Sequence, residues 1–386
     1  MVKWMGLAAV FVVAALIVQA LLHVERPAAE MGANPEISIA AMLATSADTE
    51  FAAVEYPRAF TFPADHAQHS EYRTEWWNLS GALADASGTP VGLHVLLMRI
   101  GIGSQAGTRQ SRWATNEIFA GVASLSHPFE GRLATGQRLS RGALGLAGTS
   151  LEPVRFWVED WRFEALDAAG EAGPGVDLHA RLAIDALELE LQLENSLPLL
   201  DTNAMPGLTS GQRAPFQFYL QPRLHATGTL RGAGGAVEVA GSLSFEHAWG
   251  ELPLPGGPIA RDRMTLYLDD QRVIVIVVTH RADGTGMPEA SGALIDAAGR
   301  VQVLAADDLR LVPADHWRSP RTGARYPIGW TLQIHSYAMD LELVPDNEDQ
   351  EGNEWTPFWS GPIRVLDGRK ASIGTGIMQL YGYDAR

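Results

Sequence analysis

Between Phe62 and Gly81 the chain reads FPADHAQHSEYRTEWWNLSG, and this stretch holds Asp65, His66, His69, Glu71, Glu75 and the pair Trp76-Trp77. Imidazoles beside carboxylates are equipment for moving protons, since histidine titrates near neutrality and an apolar pocket raises the pKa of a buried acid. The same residues admit two plainer readings. His66 and His69 with Asp65 or Glu75 present the His-x-x-His spacing of a metal site, and they equally suit a polar network that fastens an N-terminal strand. If the segment is a strand, Trp76 and Trp77 point to opposite faces, one into the core and one to a rim. A comparable motif, Glu246-His247-Ala248-Trp249-Gly250, occurs later in the chain and suggests a duplicated unit. There is no cysteine, which excludes thiolate nucleophiles, disulfides and Cys-ligated zinc. No G-x-S-x-G elbow is present, and Ser80, Ser244 and Ser319 read as strand or loop residues.

The elements that must position these residues are strands. Leu187 to Glu194, LELELQLE, alternates strictly and predicts a half-buried strand with its leucines inward. Val273 to Val278, VIVIVV, is too short and too β-branched for a helix and reads as a strand buried on both faces. Leu93 to Ile100 and Asn116 to Ser126 read as further strands, and 39 glycines with 22 prolines leave little room for long helices. The class is all-β, a sandwich or barrel of antiparallel strands. The Gly-rich stretch Arg231 to Ala236 marks the expected break between two domains, 51–233 and 234–386, and Asp201 to Arg213 reads as a loop over a barrel mouth. A net charge of −16 without a basic cluster argues against nucleic acid. Lys3 followed by the apolar Met5 to Leu22 reads as a signal peptide or membrane anchor over residues 1–22, with residues 23–50 as a tether, which places the body outside the cytoplasm.

The FPADHAQH and EWWNLSG segments resemble the opening motif of the family that joins the carotenoid 1,2-hydratases (CrtC) to the AttH-type predicted secreted hydrolases, with Asn78 in place of the usual Tyr. Gly241 to Gly250 (GSLSFEHAWG), His316 to Trp330 (HWRSPRTGARYPIGW) and Phe358 to Tyr383 resemble three further landmarks in the same order. The resemblance implies two consecutive lipocalin-like antiparallel β-barrels. It puts the hydratases' His-x-Trp pair on His247 and Trp249, with Glu246 as the nearest acid. The hydratases' downstream Tyr-x-Asp has no counterpart, since the corresponding region is VIVIVV and Tyr267-Leu268-Asp269 lies too early.

Two functions are therefore expected. The first is an exported protein that binds a long apolar ligand, a lipid or isoprenoid, through Asp65, His66, His69, Glu75, Trp76, Trp77 and Tyr219. The family implies an ABC-type permease as its partner. The second is a hydratase-like enzyme that uses Glu246, His247 and Trp249. Neither a cofactor nor a resident metal is expected.

Overall fold

The computed structural model describes residues 51–102, 111–126, 132–166, 175–201, 216–251, 259–282, 285, 287–352 and 357–383. Residues 1–50 and most of the loop Asp201 to Arg213 lie outside them. Among the described residues no helix is long and apolar enough to cross a membrane.

Among the described residues every strand belongs to one of two antiparallel sheets. The first is built from β1 (Thr74–Asp85), β2 (Pro90–Gly101), β3 (Glu117–Ser126), β4 (Leu133–Arg141), β5 (Ala147–Leu151), β6 (Val154–Val158), β7 (Trp161–Ala165), β8 (Leu178–Ile184), β9 (Leu187–Asn195), β10 (Leu200–Asp201), β11 (Phe216–Gly232) and β12 (Gly235–Gly250). The second comprises β13 (Ile259–Leu268), β14 (Val273–Arg281), β15 (Glu289–Ile295), β16 (Val301–Leu304), β17 (Leu309–Arg318), β18 (Arg325–Ile334), β19 (Met339–Pro345), β20 (Glu351–Gly352), β21 (Phe358–Asp367) and β22 (Ser372–Tyr381). In each sheet the strands follow chain order and the last pairs with the first, β12 with β1 and β22 with β13. These are two lipocalin-like barrels of one topology.

The expected domain break requires correction. Arg231 to Ala236 is a hairpin turn between β11 and β12, with Gly232 opposite Gly235. Gly235 takes a φ of +111°, which a residue with a Cβ rarely adopts. Both strands belong to the first sheet, so the chain leaves that barrel only after Gly250, and Glu246, His247 and Trp249 lie in the N-terminal barrel. Nor are the two Trp-and-His motifs equivalent parts of two repeats. They are neighbouring strands, paired with Glu75 opposite Trp249, Trp76 opposite Ala248 and Trp77 opposite His247.

Alternation explains how the interiors fill. Leu187, Leu189, Leu191 and Leu193 enter the core of the first barrel, while the intervening residues face water. In β14, Ile274, Ile276 and Val278 enter the second core, and Val273, Val275 and Val277 join a third cluster with Phe216, Phe218, Leu220 and Tyr267. VIVIVV is thus buried on both faces, because one face closes its own barrel and the other packs against its neighbour. Polar ties reinforce that seam: Ser126 Oγ donates to Gln350 at 2.5 Å and Tyr267 Oη to the Ser80 carbonyl at 3.2 Å.

Gly92 of β2 lies in the seam against β21, where an added Cβ would sit 2.7 Å from Pro362 Cδ and 2.9 Å from its nitrogen. Gly92→Val is expected to cost about 1–3 kcal/mol by overpacking, read as a lower urea midpoint. Gly368→Ala, whose new carbon meets nothing within 4 Å, is the control expected to leave the midpoint unchanged.

Candidate functional site

The first barrel places Glu75, Trp77 and Leu79 of β1 on its inner face, because alternate residues of a strand share a face. Adjacent strands supply the rest of two rows. Across the sheet, Arg99 of β2 and Trp249 of β12 flank Glu75, while Leu97, His247 and Tyr219 continue the row of Trp77. The segment before β1, including a 3-10 turn at Ala64–His66, brings Arg58, Asp65, His66 and His69 onto these rows.

Glu75 is fully buried and saturated with donors. His247 Nε2 stands 2.7 Å from Oε1, His69 Nδ1 2.9 Å from the same oxygen, and Arg99 Nε donates to Oε2 at 3.0 Å. The backbone N–H of His69 donates to both oxygens at 3.0 Å. Burial alone would raise the carboxyl pKa, but the hydrogen bonds of His247 and His69 and the charge of Arg99 outweigh it and bring it to about 2. Glu75 is therefore a carboxylate.

The two imidazoles beside it are pushed apart. Burial lowers His247 to about 4 despite Glu75, so this ring is neutral at ordinary pH. Burial also works against the His69 cation, but hydrogen bonds to Asp65 and Glu75 prevail and raise its pKa. His69 Nε2 lies 3.1 Å from Asp65 Oδ1, and Asp65 is held in turn by Arg58 and by the Thr61 N–H at 2.5 Å. The His69 ring stacks on Trp249 with centroids 3.7 Å apart and 9° between planes.

Neutral His247 donates from Nε2 to the Glu75 carboxylate, which leaves the lone pair on Nδ1. That atom is buried without a hydrogen-bond partner, as are the indole nitrogens of Trp77 and Trp249. Trp77, Trp249, Tyr219 and Phe156 surround the ring at centroid distances of 4.9, 4.9, 5.2 and 6.0 Å. The Tyr219 hydroxyl pairs with His66 Nδ1 at 2.9 Å, and burial with the charges of Glu75 and Asp65 keeps its pKa well above the usual phenol value.

Seven of the expected residues thus converge: Asp65, His66, His69, Glu75, Trp77, Tyr219 and His247, with Trp249 as an eighth. Two do not. Glu246 follows one residue before His247 and so projects to the opposite face, where it accepts from Trp76 Nε1 at 3.1 Å and Arg263 Nη1 at 2.7 Å. Trp76 leaves the site for the same reason and packs on the inter-barrel cluster. The nearest acid to His247 in the fold is Glu75, contributed by the neighbouring strand. Sequence reading passed over Arg58 and Arg99; Arg99 carried a signal, a lone charge inside the apolar run LHVLLMRI.

A donor atom from each of His69, Glu75 and His247 lies within 4.8 Å of the others, a spacing that a cation's ligands also show. Arg99 and the His69 N–H already balance the carboxylate, and His66, the other half of the His-x-x-His spacing, turns instead to Tyr219. The donor set fits an ion-pair network better than a metal site.

Because the folded pKa of Glu75 lies below the ordinary 4.5, its contribution to stability is complete above about pH 4.5 and is lost as pH falls toward 2. Glu75→Gln removes the fully buried carboxylate that Arg99 and His69 share and leaves Arg99 with Glu117, and His69 with Asp65, as remaining partner. It is expected to cost about 3–5 kcal/mol at neutral pH and to flatten the acid limb of stability between pH 4.5 and 2, measured by urea denaturation across pH.

Among solved structures, the chain is similar to an AttH-type protein from Nitrosomonas europaea, at 25% identity and a TM-score of 0.72, over 86% of this chain and 100% of that one. It also shares the fold of kievitone hydratase from Nectria haematococca, at 14% identity and a TM-score of 0.56, over 87% and 96% of the two chains. No curated protein sequence matches it. A family model described as AttH-like matches residues 53–383, which takes in both barrels and every residue of the site, and the chain belongs to that family.

Proposed function

We propose that the first barrel is the site of a hydro-lyase reaction on an apolar, unsaturated substrate, with His247 as the general base and Glu75 as the group that orients it. The observation that carries this reading is the pairing of His247: Nε2 is bound to a buried carboxylate while Nδ1 is unpartnered among aromatic rings. A carboxylate on one imidazole nitrogen fixes the tautomer and leaves the other as a base. In the dehydrating direction, Nδ1 takes a proton from the carbon beside the C–OH carbon. The C–O bond breaks as the C=C bond forms, and His247 returns the proton to the departing oxygen, which leaves as water. Hydration is the reverse. Tyr219, kept un-ionised, is the donor that can hydrogen-bond the oxygen in flight, and the Trp77 and Trp249 faces stabilise positive charge at carbon. The fold shared with a protein named as a hydratase supports the assignment by analogy alone.

The aromatic walls also support a second reading, a carrier that holds a long lipid or isoprenoid without converting it. The apolar stretch Met5 to Leu22 and the family membership support an extracytoplasmic location and an ABC-type permease as partner; both belong to the proposal.

The two readings separate on variants. The full chain is incubated with terminal isoprenoid alkenes and alcohols in oxygen-18 water, and the label in the hydroxyl product is read by mass spectrometry. Label incorporation is expected to fall about 10²–10⁴-fold in His247→Ala, to persist in Glu246→Ala, and to decline in the wild type as pH drops through about 4, where His247 takes up its proton. Ligand retention by His247→Ala, with no labelled product from any variant or from the wild type, would replace the enzyme by the carrier.

A further inference from the structure

The second barrel has a site of its own. At the end where β13 begins and β22 ends lies a cavity of about 560 Å³, within the usual range for a small-molecule pocket. Val278, Leu311, Pro313 and the face of Trp330 give it apolar walls, while Arg318 and Arg325 stand at its exposed edge.

Three observations bear on what it takes. Arg318 and Arg325 are directly opposed on β17 and β18, and like charges in that relation repel unless an anion lies between them. Among the described residues neither has a carboxylate partner within ion-pairing distance, although the chain as a whole carries sixteen more negative than positive charges. Trp330 is buried, and its indole N–H has no hydrogen-bond partner. The acid in the wall, Asp262, is already committed: Tyr383 Oη donates to it at 2.6 Å, the Tyr381 N–H at 3.1 Å, and His280 Nε2 stands at 3.4 Å. His280 and Arg281 also line the opening, His280 against Asp262 and Arg281 against Thr285, while burial and the charge of Arg325 hold the His316 pKa below its usual value.

We infer that this cavity binds an anionic amphiphile, with the carboxylate or phosphate held between Arg318 and Arg325 and the chain lying along Val278, Leu311 and Trp330. Guanidinium forks match both headgroups in geometry. Each methylene buried adds to affinity, so chain length and headgroup contribute separately. The inference is independent of the chemistry assigned to the first barrel.

Isothermal titration of the full chain with dodecanoate, dodecyl phosphate and dodecyltrimethylammonium tests it, and the first two separate a carboxylate from a phosphate source. Saturable binding of one or both anions at one per chain is expected, with no binding of the cation. Arg318→Ala/Arg325→Ala should weaken the anion at least 10-fold, and raising the salt concentration should weaken it in the parent chain. Trp330→Phe, which keeps an aromatic wall but removes the pyrrole ring with its N–H, should weaken it by a smaller factor, and urea midpoints of both variants control for any loss of folding. Equal binding of anion and cation, or anion affinity untouched by both variants, would overturn the assignment, since the ligand would then be held elsewhere or by apolar contact alone.

Discussion

A carboxylate buried to the last atom is tolerable only if every lone pair is answered, and Glu75 meets that condition through five hydrogen bonds from four donor groups. Much of the first barrel follows from it. Arg99 must stand opposite on β2, where its second nitrogen also ties the His69 and Tyr72 carbonyls at 2.9 and 2.5 Å. The segment before β1 must fold across to supply His69, and Asp65 must follow to balance the His69 charge. A network of this kind is a weak source of net stability, because desolvation consumes most of the attraction. What it supplies is position: the strand β1, the preceding segment and the closing strand β12 are tied to one another through the same carboxylate.

The barrels share a topology and differ in what they enclose. In the first, the closing pair β1 and β12 carries the ionisable row. In the second, the corresponding pair β13 and β22 brings in the buried acid Asp262, answered by Tyr381, Tyr383 and His280. The second barrel's other buried acid, Glu351 of β20, pairs instead beside β21 and is held by Ser319, Thr322 and Tyr326. Closure is also where alternation has to be satisfied on both sides at once, which is why the apolar face of β14 and the outer faces of β11 and β12 find each other in a third core rather than meeting water.

The strand class, the double burial of VIVIVV and the inward leucines of LELELQLE were legible because period-2 patterning is a local property. The residues of the site were legible by type: a dense run of acid, imidazole and indole is costly to place at random. Their partners were not. Glu246 is adjacent to His247 in sequence, and adjacency in a strand means opposite faces, so the nearest acid on paper cannot reach the ring. Glu75, far away along the chain, lies one strand over. Register across β1 and β12 decides this, and register depends on where the chain turns. The Gly-rich stretch Arg231 to Ala236 looks the same whether it links two domains or closes one hairpin; only the pairing of Gly232 with Gly235 distinguishes them.

Two imidazoles within one network, with ring centroids 5.5 Å apart, would ordinarily be expected to behave alike. They do not, because His69 touches two carboxylates and His247 touches one that is already shared. Burial penalises the cation in both rings; only His69 receives enough negative charge to overcome it. The pair thus divides into a ring whose protonated form two carboxylates favour and a neutral ring whose second nitrogen is unpartnered. Opposed pKa shifts of neighbouring groups are what the proposed acid–base role requires of this pair. A purely structural network gains nothing from leaving a buried nitrogen unpartnered, whereas a base needs that nitrogen.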